Sequence, residues 1–175
     1  MNQREINIWQ WLGFAVTALG GTLLHFLYDW TRGASWAAPF SGVNESTWEH
    51  MKLLFWPMLI FAIFERLFFR GESNFWWIKL KGILLGLLLI PVLFYTYNGA
   101  VGESPDWLNI TIFFVSAAVA YLWESKQLQK SRAPGFSNQW ALILIGLIGA
   151  LFVIFTYAPP TIGLFRDPIT GGYGI

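Results

Sequence analysis

The stretch "VNESTWEHMKLLFWPMLIF", Val43 to Phe61, decides the fold. From Leu53 the chain is uninterruptedly apolar as far as Phe64, yet the stretch opens with Glu45, Glu49, His50 and Lys52. At ~1.5 Å of rise per residue the 12 apolar residues cover roughly 18 Å of a hydrocarbon layer about 30 Å thick. Polar groups must therefore enter the layer. The Glu49–Lys52 turn can supply them at one end, and Arg66 can snorkel at the other. Ionisable groups at such depth cost about 2.5–3.5 kcal/mol each on insertion scales, so they face a protein interior or a wet cavity. The stretch is thus a membrane helix whose head needs polar company inside a bundle.

Composition points the same way. Of the 175 residues, 55% are hydrophobic and 12% charged, about half the charged fraction of soluble domains. There is no soluble domain, and residues 1–175 form a single transmembrane domain. The formal net charge of +1 predicts no nucleic-acid partner. The absence of Cys excludes disulfides, thiolate metal sites and Cys nucleophiles. The first apolar run, Ile6 to Leu24, is longer than a signal-peptide core and has a charge-neutral head, so it is expected to stay as a helix.

The sequence predicts an all-α, polytopic bundle of five transmembrane helices, at about 8–29, 46–69, 74–97, 104–126 and 138–157. Ser46 lies three before Glu49, a capping-box spacing. Ser73-Asn74 and Ser137-Asn138 are N-cap candidates. Ser104-Pro105-Asp106 puts Pro at a first helical position. Pro159-Pro160 ends the last helix. Pro57 and Pro91 interrupt helices 2 and 3, and Gly13, Gly20, Gly21, Gly82, Gly86, Gly146 and Gly149 are packing signals. Five spans place eight Lys and Arg on the N-terminal side and three, Arg32, Lys52 and Arg166, on the other. The positive-inside rule then makes the N-terminus cytoplasmic and the C-terminus external, in a plasma (inner) membrane.

Six acids (Asp29, Glu45, Glu49, Glu103, Asp106 and Asp167) and both histidines fall on the outer side. His25 and Asp29 share a face of helix 1, and Glu45 and Glu49 share a face of helix 2 where that helix reaches back to Glu45. The short loop between them makes the two helices antiparallel neighbours. His25, Asp29, Glu49 and His50 are the candidate ligands of a divalent metal such as Zn²⁺. Bound water would become a hydrolytic nucleophile there, with Glu45 as base. Asp106 and Tyr97 are further catalytic candidates from the starts and ends of neighbouring helices. The spacing matches neither H-E-x-x-H nor a Glu-x-x-His pair. Plainer roles compete: Glu49 as a capping partner, Asp29 paired with Arg32 or Lys52, His25 bonded to a carbonyl, Tyr95, Tyr97 and Tyr157 as an aromatic belt.

Two features recur at offsets near 60 residues. "ESTW" at Glu45 and "ESPDW" at Glu103 open helices, and "YTYN" and "FTYA" close them. Residues 45–97 and 103–157 can be read as a tandem repeat. Two spans plus two loops give the same period without duplication.

The stretch "LLHFLYDW…PFSGVNESTWEHMKLLFWP", with "APPTIGLFRDPITGGYG", resembles a family of small, uncharacterised bacterial integral membrane proteins. The resemblance covers most of the chain and implies five membrane helices, with no assigned activity. A looser likeness, in chemistry alone, is to the seven-helix membrane hydrolases of the alkaline ceramidase and progestin-receptor type. Those hold Zn²⁺ between His, Asp and Ser, and no residue carries across.

The leading expectation is a metal-dependent hydrolase with an outward-facing His/Asp/Glu pocket, acting on a lipid or membrane-soluble substrate among membrane lipids. The rivals are a proton- or cation-coupled transporter or channel, and a non-catalytic partner subunit. The sequence leaves the oligomeric state open. A pore needs polar groups along the whole path, and the cytoplasmic halves of the helices read as almost free of them. An enzyme needs only a one-sided pocket.

Overall fold

A computed structural model describes residues 2–102, 105–130 and 138–175. It contains five helices, α1 (Gln3–Trp30), α2 (Thr47–Glu65), α3 (Phe75–Val101), α4 (Asp106–Leu128) and α5 (Asn138–Tyr157), then a 3-10 turn, Gly163–Phe165. Among the described residues there is no strand, only one isolated bridge between Arg166 and Tyr173. Four of the helices are long and apolar enough to cross a membrane: α1, α3, α4 from Trp107, and α5. In α2 the Glu49, His50 and Lys52 of the first two turns offset the apolar run that follows. Leu19, Leu23, Leu88, Val92 and Leu147 are exposed on the flanks, as side chains facing lipid would be.

The helix ends refine the sequence reading. α1 starts at Gln3 rather than Ile8, because Asn2 and Glu5 form a reciprocal capping box. Ser46 caps α2 by accepting from the Glu49 N–H at 3.4 Å, but the Glu49 carboxylate is used elsewhere, so only half of the expected box forms. α2 ends at Glu65, short of Phe69, where the Phe68 and Phe69 N–H groups both turn back onto the Glu65 carbonyl. Pro105 occupies the N-cap of α4 rather than its first helical position. Glu103 and Ser104, which support the repeat reading, lie outside the described residues.

Helices consecutive in the chain run antiparallel. Gly13 meets Phe61 and Gly20 meets Pro57 between α1 and α2, while Gly86 faces Ala120 and Leu54 between α3 and its neighbours. α2 and α3 are central, α4 packs on α1 and α3, and α5 lies against α3 and α2. Lipid tails are as apolar as Leu, so helix association in a bilayer depends on close packing and polar bonds. The glycines show it: a Cβ on Gly21 would strike Phe113 and the Leu53 carbonyl, and one on Gly82 would strike the Glu124 carboxylate. Gly146, by contrast, has nothing within 4 Å.

Between α1 and α2 the chain folds back into the end of the bundle. Arg32 takes a left-handed conformation (φ 55°) followed by Gly33 (φ 77°), and this ends α1. Ala37, Ala38 and Ser41 are then fully buried. Their backbone needs partners. Ser41 Oγ accepts from the Tyr28 N–H at 2.8 Å and donates to the Leu24 carbonyl at 2.5 Å. Trp56 Nε1 donates to the Pro39 carbonyl at 2.8 Å.

The C-terminal residues pack onto this same end. Phe165 is buried against Trp48 and Phe155. Asn44 Nδ2 donates to the Gly174 carbonyl at 3.0 Å.

Candidate functional site

Two groups of ionisable side chains sit inside the bundle, one at each end of α2. At the end that carries the C-terminus, Glu49 and Lys52 are buried together, Nζ to Oε2 being 2.6 Å. They lie one turn apart on α2, so each sits within easy reach of the other. Lys52 also donates to the Ala38 carbonyl at 2.8 Å and to Thr156 Oγ1 at 2.9 Å. Glu49 accepts from the Val43 N–H at 3.0 Å. The ammonium thus uses all three donors, and the pair ties the folded-back loop to α2 and α5.

Above this pair, Glu45 stands between the two histidines. His25 Nε2 is 3.6 Å from Glu45 Oε1 and His50 Nε2 is 3.5 Å from Glu45 Oε2. The rings are 5.9 Å apart, and Ser46 offers its carbonyl to His50 Nδ1 at 3.0 Å. These N–O separations are ion-pair distances, longer than a direct hydrogen bond. The group is partly exposed, Glu45 most of all, at 42%. It can exchange protons with water and present two imidazoles around one carboxylate.

The C-terminal residues hold Glu45 from behind. Asp167 accepts from the Thr170 hydroxyl at 2.6 Å and the Ile169 N–H at 3.0 Å, and also bonds the Glu45 backbone. Burial pushes the Asp167 carboxyl up, but the bonds from Thr170, Ile169 and Glu45 outweigh it and hold it below its ordinary value of 3.8.

At the opposite end, Gln10 (α1), Glu65 (α2), Lys79 (α3) and Glu124 (α4) meet in a closed cluster, none more than 3% exposed. Lys79 donates to Glu124 Oε2 at 2.5 Å and pairs closely with Glu65. Gln10 Nε2 donates to Glu65 Oε1 at 2.5 Å. One turn further in, Thr17 and Tyr121 share a buried hydrogen bond of 2.8 Å, and the Lys79 ammonium lies 5.6 Å from the Tyr121 ring centre. Asn7, Ser125 and Gln129 continue the polar line to the surface at that end.

The sequence reading brought the right end of α1 and α2 together but divided its residues differently. His25, Glu45 and His50 converge, with the expected base as the bridging group. Glu49 lies below them, committed to Lys52. Asp29 is exposed and makes no side-chain bond among the described residues. Tyr97 is half-buried near the end of α3 and makes no hydrogen bond among the described residues. The Tyr157 hydroxyl instead donates to the Ser35 carbonyl at 2.7 Å. Asp106 opens α4, and its side chain lies outside the described ones. Among the described residues, no group of three or more His, Asp or Glu is arranged to hold a metal ion.

The second cluster escaped the sequence reading, which counted Lys79 only among the eight Lys and Arg of the N-terminal side and gave Glu65 and Glu124 no role. A signal was present. Glu65 and Glu124 each follow long apolar runs, and Gly82 lies one turn after Lys79 on the face where Glu124 needs room.

The full chain, residues 1–175, matches the Family of unknown function (DUF6512), and the chain belongs to that family. No curated protein and no solved structure matches it.

Proposed function

We propose that this member of the family is a proton-coupled membrane transporter that crosses the bilayer five times, with its N-terminus in the cytoplasm and its C-terminus outside. The single observation that carries the reading is the burial of ionisable side chains inside both ends of the bundle. Intramembrane acids and lysines are costly and mark ion or proton paths. The scarcity of polar groups in the cytoplasmic halves, which would argue against a path, does not hold for the folded chain. Glu65, Lys79, Glu124, Gln10, Thr17 and Tyr121 all lie in those halves and are buried.

α2 counts as the fifth span because Glu49 and Lys52 neutralise each other, which lowers the cost of bringing its head into the layer. The excess of Lys and Arg at the N-terminal end supports the orientation in an inner membrane. The outer His25–Glu45–His50 group would take up protons, and the inner cluster would pass them on. Leu53, Leu54, Met58, Phe61 and Phe113 form an apolar layer between the two ends. Such a layer blocks an open channel, so translocation requires the bundle to rearrange, as in a carrier.

The test is proton flux into vesicles reconstituted with the purified chain, driven by an imposed potential. Flux above protein-free vesicles that falls in an E65Q or H50A variant is the expected result. Flux equal to protein-free vesicles under every imposed gradient, with and without candidate solutes, would end the reading. The hydrolase alternative keeps one favourable observation, two imidazoles around a half-exposed carboxylate. It predicts stoichiometric Zn²⁺ binding lost in H25A and H50A, and release of product from membrane lipids.

A further inference from the structure

The cluster of Gln10, Glu65, Lys79 and Glu124 is unbalanced in charge and in hydrogen bonds. Two carboxylates face one ammonium in a site closed to water. Full ionisation leaves one negative charge without a partner, which a low-dielectric interior penalises strongly. No other described group corrects it. α1 contributes the neutral Gln10, and α4 adds the Tyr121 hydroxyl, which is bonded to Thr17. Arg66 follows Glu65 in sequence but turns to the Phe69 and Glu72 carbonyls, with its guanidinium over the Phe75 ring.

A second, independent deficit lies in the same place. Glu124 Oε1 and Gln10 Oε1 are buried acceptors with no hydrogen-bond donor. Buried polar atoms are almost always paired, so two orphans beside one ionic cluster mark a missing donor. The site also has no slack on the α3 side. Glu124 is pressed against Gly82, where even a Cβ would collide, which leaves no room there for a hydrated cation.

We propose that this cluster is a proton-binding site that holds one proton on Glu124 while Lys79 is paired with Glu65. The proton makes the charges equal and supplies one donor to a cluster whose unpaired oxygens lack one. A shallow cleft between α1 and α4 touches Gln10 and Tyr121 beside the cluster; Asn7 and Ser125 also line it, with apolar side chains such as Trp11 and Leu122. The proposal rests on the transport reading for its purpose, but proton occupancy can be measured where no transport occurs.

The experiment is infrared difference spectroscopy on the purified chain in lipid nanodiscs, from mildly acidic to mildly alkaline pH. The wild type is expected to show the C=O stretch of one buried protonated carboxyl per chain. E124Q removes the group and the band. E65Q also loses the band, because Lys79 then balances an ionised Glu124. E49Q keeps it, since Glu49 belongs to a balanced pair. A wild type without the band at any pH, or an E65Q variant that keeps it, overturns the proposal. The wild-type spectrum decides alone if a variant fails to fold. A wild type with the band but without flux in vesicles refutes transport and leaves the site standing. Flux without the band does the reverse.

Discussion

The two buried ionic groups on α2 look alike in sequence and differ in their arithmetic. At the end that carries the C-terminus one carboxylate meets one ammonium, and every ammonium donor has an acceptor. At the opposite end two carboxylates meet one ammonium, and Glu124 Oε1 and Gln10 Oε1 lack donors. The balanced group ties a folded-back loop to the bundle. The unbalanced one cannot be at rest in its fully ionised form, and that is what suits it to exchanging a proton. Burial alone does not separate a structural ion pair from a working site; the count of partners does.

Removing the lysines tests this contrast most severely. K79M strips the only cation from two buried carboxylates, and we expect a loss at the upper end of the ~3–5 kcal/mol seen when a buried pair is broken. K52M leaves a single carboxylate, still accepting from Val43, and should fall at the lower end of that range, about 3 kcal/mol. Thermal unfolding in one mild detergent ranks the two. Rescue is the sharper measurement. E49Q/K52M should regain most of the stability, whereas E124Q/K79M should not, because Glu65 remains unpaired. Equal rescue at both ends would erase the distinction.

Function should divide the other way. E124Q is expected to cut proton flux by about a hundredfold or more, as loss of a proton-transfer group does, with the fold intact, and E49Q to leave flux near wild type. A smaller effect belongs to the C-terminal residues that hold Glu45. D167N should destabilise them by about 1 kcal/mol per hydrogen bond lost, read by amide exchange near Asn44 and Gly174. The folded Asp167 value lies below 3.8, so its contribution is complete above that pH and disappears as pH falls through the folded value. The difference between D167N and wild type should therefore vanish in strong acid. The smallest expected change in stability is that of H25A and H50A, within ~0.5 kcal/mol, since both rings are partly exposed. Their effect should appear in the pH dependence of flux imposed from the C-terminal side.

Much of the fold was legible. Apolar runs bounded by Ser, Asn, Pro and Gly marked five helices, and only their ends moved. The sequence reading extended α2 to Phe69 because Leu67, Phe68 and Phe69 continue its apolar run, but the turn after Glu65 takes them out of the helix. The short loop made α1 and α2 neighbours in the sequence reading, and His25 and Glu45 do meet across that hairpin. The four-residue spacings did not reveal that Asp29 stays exposed while Lys52 captures Glu49. That depends on how far the loop from Thr31 to Ser46 folds back, and its depth is fixed by Ser41 and Ala38, which show no pattern of their own.

The cluster around Lys79 was illegible for a different reason. Glu65, Lys79 and Glu124 lie 14 and 45 residues apart in the chain, and each alone resembles an ordinary charge at a helix end. Sequence by itself determined the class of solvent, the helices and the asymmetry of charge, because these follow from local hydropathy and from which residues can enter a bilayer. Only the tertiary structure decided which charges are paired and which are left over. Pairing depends on the helices that touch, and on a glycine such as Gly82 that lets two of them approach closely enough for one lysine to meet two acids.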